Sequence, residues 1–169
     1  MEKLCLIADI VKSRILHDRQ IAQETLEKSL ESINGESSAS LISPFTITLG
    51  DEFQAVYRDF SCVFGHVVKI LYDCYPLRIR FALGFGEVVT RINPVAAIGM
   101  DGPGFYAARD LLESLKTKKT TVFGLRMPAV YKYSFADASL RLASDIIGSL
   151  NKTSLGCCAY ALRGYNPRQ

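Results

Sequence analysis

The amino-acid sequence predicts an α+β fold, in which an antiparallel sheet carries helices on one face and is followed by C-terminal helices. Residues 78–89 begin with strict alternation, which places apolar side chains on one face of a strand. Other stretches repeat apolar residues at helical spacing. The 169 residues are 49% hydrophobic and 22% charged, which is enough for one domain with a buried core.

The first two elements are predicted to be a strand and a helix. Residues 3–10 form a compact apolar run that is typical of a buried strand, and Asp9 lies at its end. Residues 18–33 repeat apolar side chains every three or four positions, with polar residues between them. Asn34-Gly35 then predicts a left-handed stop, so the helix should end there.

A β-hairpin is predicted next. Pro44 opens a strand over residues 45–49, Gly50-Asp51 turns the chain, and residues 53–57 form the return strand. The elements that follow alternate between helix and strand: a helix over 60–71, a strand over 78–89, a helix from Pro103 to about residue 115 and a strand over 120–125. Residues 1–127 should therefore form the core, and residues 128–169 a helical extension packed on the same domain.

This order of elements contains a split β-α-β unit duplicated in the ferredoxin-like manner. In that topology the first and second strands run parallel, with the third strand between them. The carboxyl ends of the two parallel strands then emerge at the same edge of the sheet. Asp9 ends the first of these strands and Asp51 follows the second, so the fold should bring the two carboxylates together.

Two neighbouring carboxylates repel unless a cation neutralises them, and hard oxygen ligands of this kind suit Mg²⁺ or Mn²⁺. Asp9 and Asp51 are therefore candidate metal ligands. The segment Ile10, Val11, Lys12 and Ser13 turns off the strand and offers backbone N–H groups, an ammonium and a hydroxyl to a phosphate. The alternatives are structural, because Gly-Asp is also an ordinary hairpin turn and an Asp at a strand end also caps the next element.

Four motifs carry a family resemblance: Ala-Asp-Ile-Val at 8–11, Leu-Gly-Asp-Glu-Phe at 49–53, the strand over 77–89 and Ala-Ala-Arg at 107–109. In this order and at this spacing the chain resembles the class III nucleotidyl cyclases. Residues 49–54 together with 98–109 more closely resemble the SatD family, bacterial proteins of poorly defined function. The resemblance covers most of residues 3–125 and implies a cyclase-like ferredoxin core.

The resemblance also implies roles for individual residues. Asp9 and Asp51 match the two metal-binding aspartates of the cyclases, and the Ile10 carbonyl would serve the same ion. Arg109 matches the arginine that stabilises negative charge on the phosphate undergoing transfer, a role that suits a guanidinium. Phe105 replaces the asparagine of the cyclase pattern and can neither donate nor accept a hydrogen bond. Glu52 follows Asp51 in the hairpin, where side chains alternate, and is expected to point away from the metal.

The hypothesis that follows is a Mg²⁺-dependent nucleotide-binding regulatory protein with little or no cyclase turnover. One alternative is an active nucleotidyl cyclase or related phosphoryl-transfer enzyme, with Arg109 as a catalytic residue. The other is an interaction or transcription-regulatory protein whose site has decayed. The resemblance further implies a possible homodimer, because cyclases complete each site across two subunits.

Composition limits the other classes of function. The longest apolar runs are far shorter than the roughly 20 residues that span a bilayer, and no signal-peptide pattern follows Met1, so no membrane partner is expected. Five cysteines without metal-ligand spacing indicate a reducing, cytoplasmic location. A net charge of +3 is too small to indicate nucleic-acid binding. SatD-like proteins commonly continue into a helix-turn-helix, so DNA contact is expected only through a segment missing beyond residues 164–169.

Overall fold

The computed structural model describes residues 2–13, 16–36, 39–117, 122–128 and 134–162. Strands and helices follow in the order β1 (Glu2–Ile10), α1 (Arg19–Glu36), β2 (Leu41–Leu49), β3 (Glu52–Tyr57), α2 (Val63–Asp73), β4 (Ile79–Glu87), α3 (Pro103–Lys116), β5 (Phe123–Arg126), α4 (Ser134–Ser149) and α5 (Lys152–Leu162). This order confirms the predicted α+β fold class.

The strands form a five-stranded sheet in the order β2-β3-β1-β4-β5. β3 pairs antiparallel with both β1 and β2, so β1 and β2 run parallel with β3 between them, as the split topology predicts. β1 also pairs antiparallel with β4. The sheet differs from the prediction at one edge, where β5 lies parallel to β4 and makes the sheet mixed rather than fully antiparallel.

Helices cover both faces of the sheet, whereas the sequence predicted helices on one face. Leu4, Leu6 and Ala8 of β1 belong to the larger core cluster, which also contains residues of α1 and α2. Cys5 and Ile7 point to the opposite face and belong to a second cluster with residues of α3. The reason lies in β1 itself, whose apolar run has no polar face to expose to water, so both of its faces need cover.

α1 continues past the predicted stop at Asn34-Gly35 and ends at Glu36, so this prediction of the helix end was wrong. The Asn34 side chain is used for a tertiary contact instead. Its Nδ2 donates to the Phe45 carbonyl at 2.9 Å, and its Oδ1 accepts from the Phe45 N–H at 2.8 Å. Phe45 lies between Ser43 and Thr46, where the β2/β3 register is irregular, and Asn34 supplies partners for its main chain.

Asn34→Ala is therefore expected to lower the free energy of unfolding by about 2 kcal/mol, because the N–H and C=O of buried Phe45 lose their partners. Chemical denaturation of the purified protein measures this difference. Gln20→Ala is the matched control, since it removes an exposed side-chain hydrogen bond of α1 to Glu24 and should change stability by less than about 0.5 kcal/mol. Equal effects of the two substitutions would contradict the bridging role of Asn34.

β2 begins at Leu41, earlier than predicted, so Pro44 lies inside the strand rather than at its start. A proline is tolerated there because β2 is at the edge of the sheet and one side of its backbone needs no ladder partner. Apolar side chains of α4, among them Leu140 and Ile147, pack against the larger core cluster. α5 contacts α2, and Leu155 is buried.

None of the helices that the structure describes is long and apolar enough to cross a membrane. The expected truncation before a helix-turn-helix falls on residues 164–169, which lie outside the described residues. Positions 120 and 121, where the last strand was predicted to begin, also lie outside them.

Candidate functional site

The candidate site lies where β1 ends beside the turn that joins β2 and β3. The N–H of Ile10 donates to the Asp51 carbonyl at 3.0 Å, so the turn is tied directly to the end of β1. The N–H of Val11 donates to the Arg78 carbonyl at 2.8 Å, which ties the same segment to the start of β4. The fold thus brings the main chains of the two predicted metal-binding segments together. The separation of the Asp9 and Asp51 carboxylates, expected at roughly 4 to 6 Å, stays a prediction.

Asp9 is buried and forms an ion pair with Arg80. Its residue exposure is 8%, and Arg80 binds both of its carboxylate oxygens, with Nε to Oδ1 and Nη2 to Oδ2 each at 2.9 Å. The two residues are direct partners in the β1/β4 register, so the sheet itself sets the geometry of the pair. A bidentate pair of this kind is stronger than neutral hydrogen bonds and fixes the orientation of the carboxylate. Arg80 was missed by the sequence analysis.

Glu52 shares the face of Asp9, and the expectation that it points away was wrong. The two residues are direct partners in the β1/β3 register, and directly opposed residues project to the same side of a sheet. Strand alternation does not run from Asp51 to Glu52, because Asp51 lies in the turn and not in a strand. The pairing of Glu52 with Asp9 across the β1/β3 ladder shows instead that both side chains project from the same face.

Arg109 of α3 extends over this face and binds Glu52. Its Nη2 donates to Glu52 Oε1 at 2.7 Å, and its Nη1 bonds the other carboxylate oxygen. These hydrogen bonds raise the pKa of the Arg109 guanidinium, and the negative charges of Glu52, Glu113 and Asp9 add to the increase. The Arg109 side chain is 45% exposed, so the predicted phosphate-binding residue is held by Glu52 and still has part of its surface open to solvent.

The predicted phosphate-binding segment is partly occupied by contacts within the protein. The amide groups of Ile10 and Val11 both donate to main-chain carbonyls, and the Ile10 side chain is buried. Lys12 is exposed and has a φ of 58°, an uncommon conformation for a residue other than glycine. Ser13 is buried and its hydroxyl donates to Asp51 Oδ2. Lys12 is therefore the residue of this segment whose side chain is open to an anionic ligand, whereas the Ser13 hydroxyl is bound to Asp51.

A further cation lies against the turn. Gly50 has a φ of 59°, which favours glycine, and a Cβ at this position would lie 3.0 Å from Arg19 Nη2. The Arg19 guanidinium therefore stands beside Asp51's turn. No sequence pattern identifies Arg19, because it begins a helix whose position relative to the hairpin depends on tertiary packing.

The donor set fits Mg²⁺ or Mn²⁺ only with ligands from outside the protein. Asp9, Asp51 and Ser13 offer hard oxygen atoms, which these cations prefer. Within the described ranges, no group of three or more His, Cys, Asp or Glu side chains is placed to hold a metal ion. Mg²⁺ commonly binds one or two carboxylates and takes its other ligands from water and substrate phosphates. The site fits a cation that is held by one or two carboxylates and completed by water and phosphate oxygens.

The model of the SatD family matches residues 3–141, and the chain belongs to this family. The membership confirms the resemblance seen in the motifs at 49–54 and 98–109. No curated protein matches the chain.

Solved structures of two nucleotidyl cyclases are similar to the chain. A bacterial light-regulated adenylyl cyclase matches with a TM-score of 0.49 and 15% identity, over 73% of this chain and 74% of the other. The catalytic core of a rhodopsin-guanylyl cyclase with converted specificity, in complex with ATPαS, matches with a TM-score of 0.46 and 16% identity, over 67% and 72%.

Proposed function

We propose that this SatD-family chain is a regulatory protein that binds a nucleotide together with Mg²⁺, or Mn²⁺, and has little or no cyclase turnover. The observation that carries the proposal is the buried Asp9 carboxylate at the strand end that is tied to the Asp51 turn, directly opposite Glu52, which Arg109 binds. Carboxylates and cations alternate here within a small part of the surface. Such a site offers one set of groups to a metal ion and the other to phosphates.

Each residue has a definite role in this proposal. Asp9 and Asp51 hold the cation, Lys12 binds phosphate oxygens with its ammonium, and Ser13 orients the Asp51 carboxylate through its hydroxyl. Arg109 leaves part of its contact with Glu52 to bind a phosphate, which its exposed surface permits. The bound cation supplies neutralisation of the phosphate charge. Ile10 and Val11 contribute by anchoring the segment through their amide groups rather than by binding the ligand.

Little turnover is proposed because one donor of the cyclase pattern is absent. Phe105 is 6% exposed and belongs to the second core cluster, where it packs with Ile7 and Leu112. The position is therefore used for packing, and nothing at it meets charge that develops on a phosphate. An active cyclase, in which Arg109 acts catalytically, is the alternative that a turnover assay decides.

The location and partners are part of the same proposal. All five cysteines are free, with Cys5 and Cys74 buried, and burial raises the pKa of both thiols to about 12. Unpaired and unreactive core thiols suit a reducing cytoplasm. We also propose a homodimer, which light scattering of the purified chain would test, and DNA binding only through a further segment.

Asp51→Asn is expected to weaken binding of a nucleoside triphosphate in the presence of Mg²⁺ by roughly tenfold or more, because a metal-ligating carboxylate is replaced by a neutral amide. Calorimetric titration of the purified protein measures the affinity, with chelation of Mg²⁺ expected to abolish binding by wild type. Asp110→Asn is the control, since the Asp110 side chain is 71% exposed and lies on the solvent side of α3.

Three results decide between the hypotheses. Binding that Asp51→Asn leaves unchanged contradicts the metal role of Asp51. Rapid formation of cyclic nucleotide or pyrophosphate by wild type favours the enzyme. Absence of binding heat with every nucleoside triphosphate and either metal favours an interaction protein with a decayed site.

A further inference from the structure

We propose that Arg80 is a built-in counter-ion of Asp9, which keeps Mg²⁺ alone from binding and makes metal binding depend on the nucleotide. This inference rests on the proposed function and specifies how the same site is regulated. It assigns a role to a residue that the motifs at 8–11 and 49–53 do not include.

Arg80 and Asp9 form a largely buried, bidentate ion pair. Arg80 Nε and Nη2 donate to the two oxygens of Asp9 at 2.9 Å, and the two side chains are only 13% and 11% exposed. Their strands hold them directly opposite each other, so the guanidinium is fixed by the sheet rather than by a flexible surface chain. A metal ion that took Asp9 alone would leave a largely buried guanidinium without a partner. That cost opposes binding of the free ion.

The carboxylates of the site already have cations beside them. The carboxylates of Asp9 and Glu52 are each paired with a guanidinium, of Arg80 and Arg109. The Arg19 guanidinium lies beside the turn that carries Asp51, so the site has no excess of negative charge. A neutral site exerts little net attraction on a free divalent cation. A nucleotide changes this balance because its phosphates give the guanidinium groups new anionic partners while the metal takes the carboxylates. The exchange then leaves no buried charge unpaired.

The protein offers a metal ion few side-chain ligands at this site. Among the residues that the structure describes, no cluster of three or more metal-ligating side chains is present. A free Mg²⁺ ion would therefore have to displace Arg80 while gaining few ligands in return. The metal–nucleotide complex brings phosphate ligands with it. Arg80 thus selects the complex over the free ion.

The test compares binding of Mg²⁺ without nucleotide to wild type and to Arg80→Gln. Removing the cation should raise the affinity for Mg²⁺ alone by roughly tenfold or more, because the carboxylate then lacks a counter-ion. Calorimetry and the increase in melting temperature on adding Mg²⁺ measure the effect. Arg126→Gln is the matched control, because Arg126 forms only an exposed pair with Asp110 at 3.6 Å and should behave as wild type.

The double variant Asp9→Asn, Arg80→Gln should not show the increased affinity for Mg²⁺ that is expected of Arg80→Gln. That result would locate the bound Mg²⁺ at Asp9. If Arg80→Gln does not fold, Arg80→Lys replaces it, since an ammonium lacks the fork that binds both oxygens. A smaller gain is expected from Lys. Equal Mg²⁺ affinity in wild type and in the folded variant, or tight binding of free Mg²⁺ by wild type, overturns the inference.

Titration of wild type with nucleotide and Mg²⁺ together tests the proposed function separately. If wild type binds nucleotide with Mg²⁺ but Arg80→Gln shows no increase in affinity for Mg²⁺ alone, only the role of Arg80 is contradicted. A gain in Arg80→Gln without nucleotide binding by any variant defeats the proposed nucleotide, and with it the coupling, but supports Arg80 as the counter-ion of a metal site.

Discussion

Gly84→Ala is expected to lower the free energy of unfolding by about 3 kcal/mol or more, because β4 and α3 meet backbone to backbone at this residue. A Cβ at position 84 would lie 2.1 Å from the Gly104 carbonyl oxygen and 2.4 Å from the Ala108 nitrogen. Both are main-chain atoms, so no side-chain rotation relieves the overlap. The helix has to move away from the sheet, and the second core cluster between them loses its packing.

The same substitution should weaken nucleotide binding. α3 carries Arg109, and the contact of Arg109 with Glu52 depends on how closely the helix approaches the sheet. A displacement of the helix therefore moves the guanidinium away from the proposed phosphate position. Calorimetric titration with nucleotide and Mg²⁺ measures this loss in protein that is still folded.

Gly35→Ala is the matched control for stability. Gly35 lies inside α1, and a Cβ there would meet nothing within 4 Å. Alanine should stabilise the helix by up to about 1 kcal/mol. Denaturant unfolding of both variants gives the comparison, and a Gly84→Ala protein as stable as wild type would show that the close approach is not required.

The order of elements could be predicted because periodicity is local. The alternation over 78–89 and the apolar run over 3–10 each fall on a strand of the structure. The end of α1 could not be predicted, since an Asn before a Gly looks the same in the sequence whether it ends a helix or makes a tertiary contact. It ends helices in one context, but here it binds the main chain of Phe45, and that choice depends on where β2 lies.

The site could be predicted only as far as topology fixes it. Asp9 and Asp51 follow from the rule that parallel strands end at one edge, and in the structure the N–H of Ile10, the residue after Asp9, donates to the Asp51 carbonyl. Arg80 and Glu52 required the register of three strands, because each is identified by the residue opposite Asp9. A sequence pattern gives the face of a residue within its strand but not its partner across the sheet.

Phe105→Asn tests whether a single missing donor explains the low turnover that we propose. From the cyclase pattern alone, an asparagine four residues before Arg109 should restore a hydrogen-bond donor and increase activity. The structure changes this expectation. Phe105 is buried and packs with Ala82, Ala108 and Leu112, so an amide at this position would face the apolar interior between α3 and the sheet.

Phe105→Asn is therefore expected to lower the free energy of unfolding by about 4 kcal/mol, through the lost packing of the ring and the burial of an amide without partners. This is a large part of the roughly 5 to 15 kcal/mol that stabilises a typical domain. Phe105→Leu is the control and should cost less than about 1.5 kcal/mol, because it keeps an apolar side chain.

Turnover decides the functional half of this prediction. Assays of cyclic nucleotide formation with Mg²⁺ or Mn²⁺ should show no gain for Phe105→Asn over wild type, since the new amide cannot reach a phosphate beside Arg109 from within the second core cluster. Removing one stabilising donor typically costs about 100- to 1000-fold in turnover. A folded Phe105→Asn protein that gained activity on that scale would contradict the packing role of position 105. It would favour a cyclase that lacks one group over a nucleotide-binding regulator.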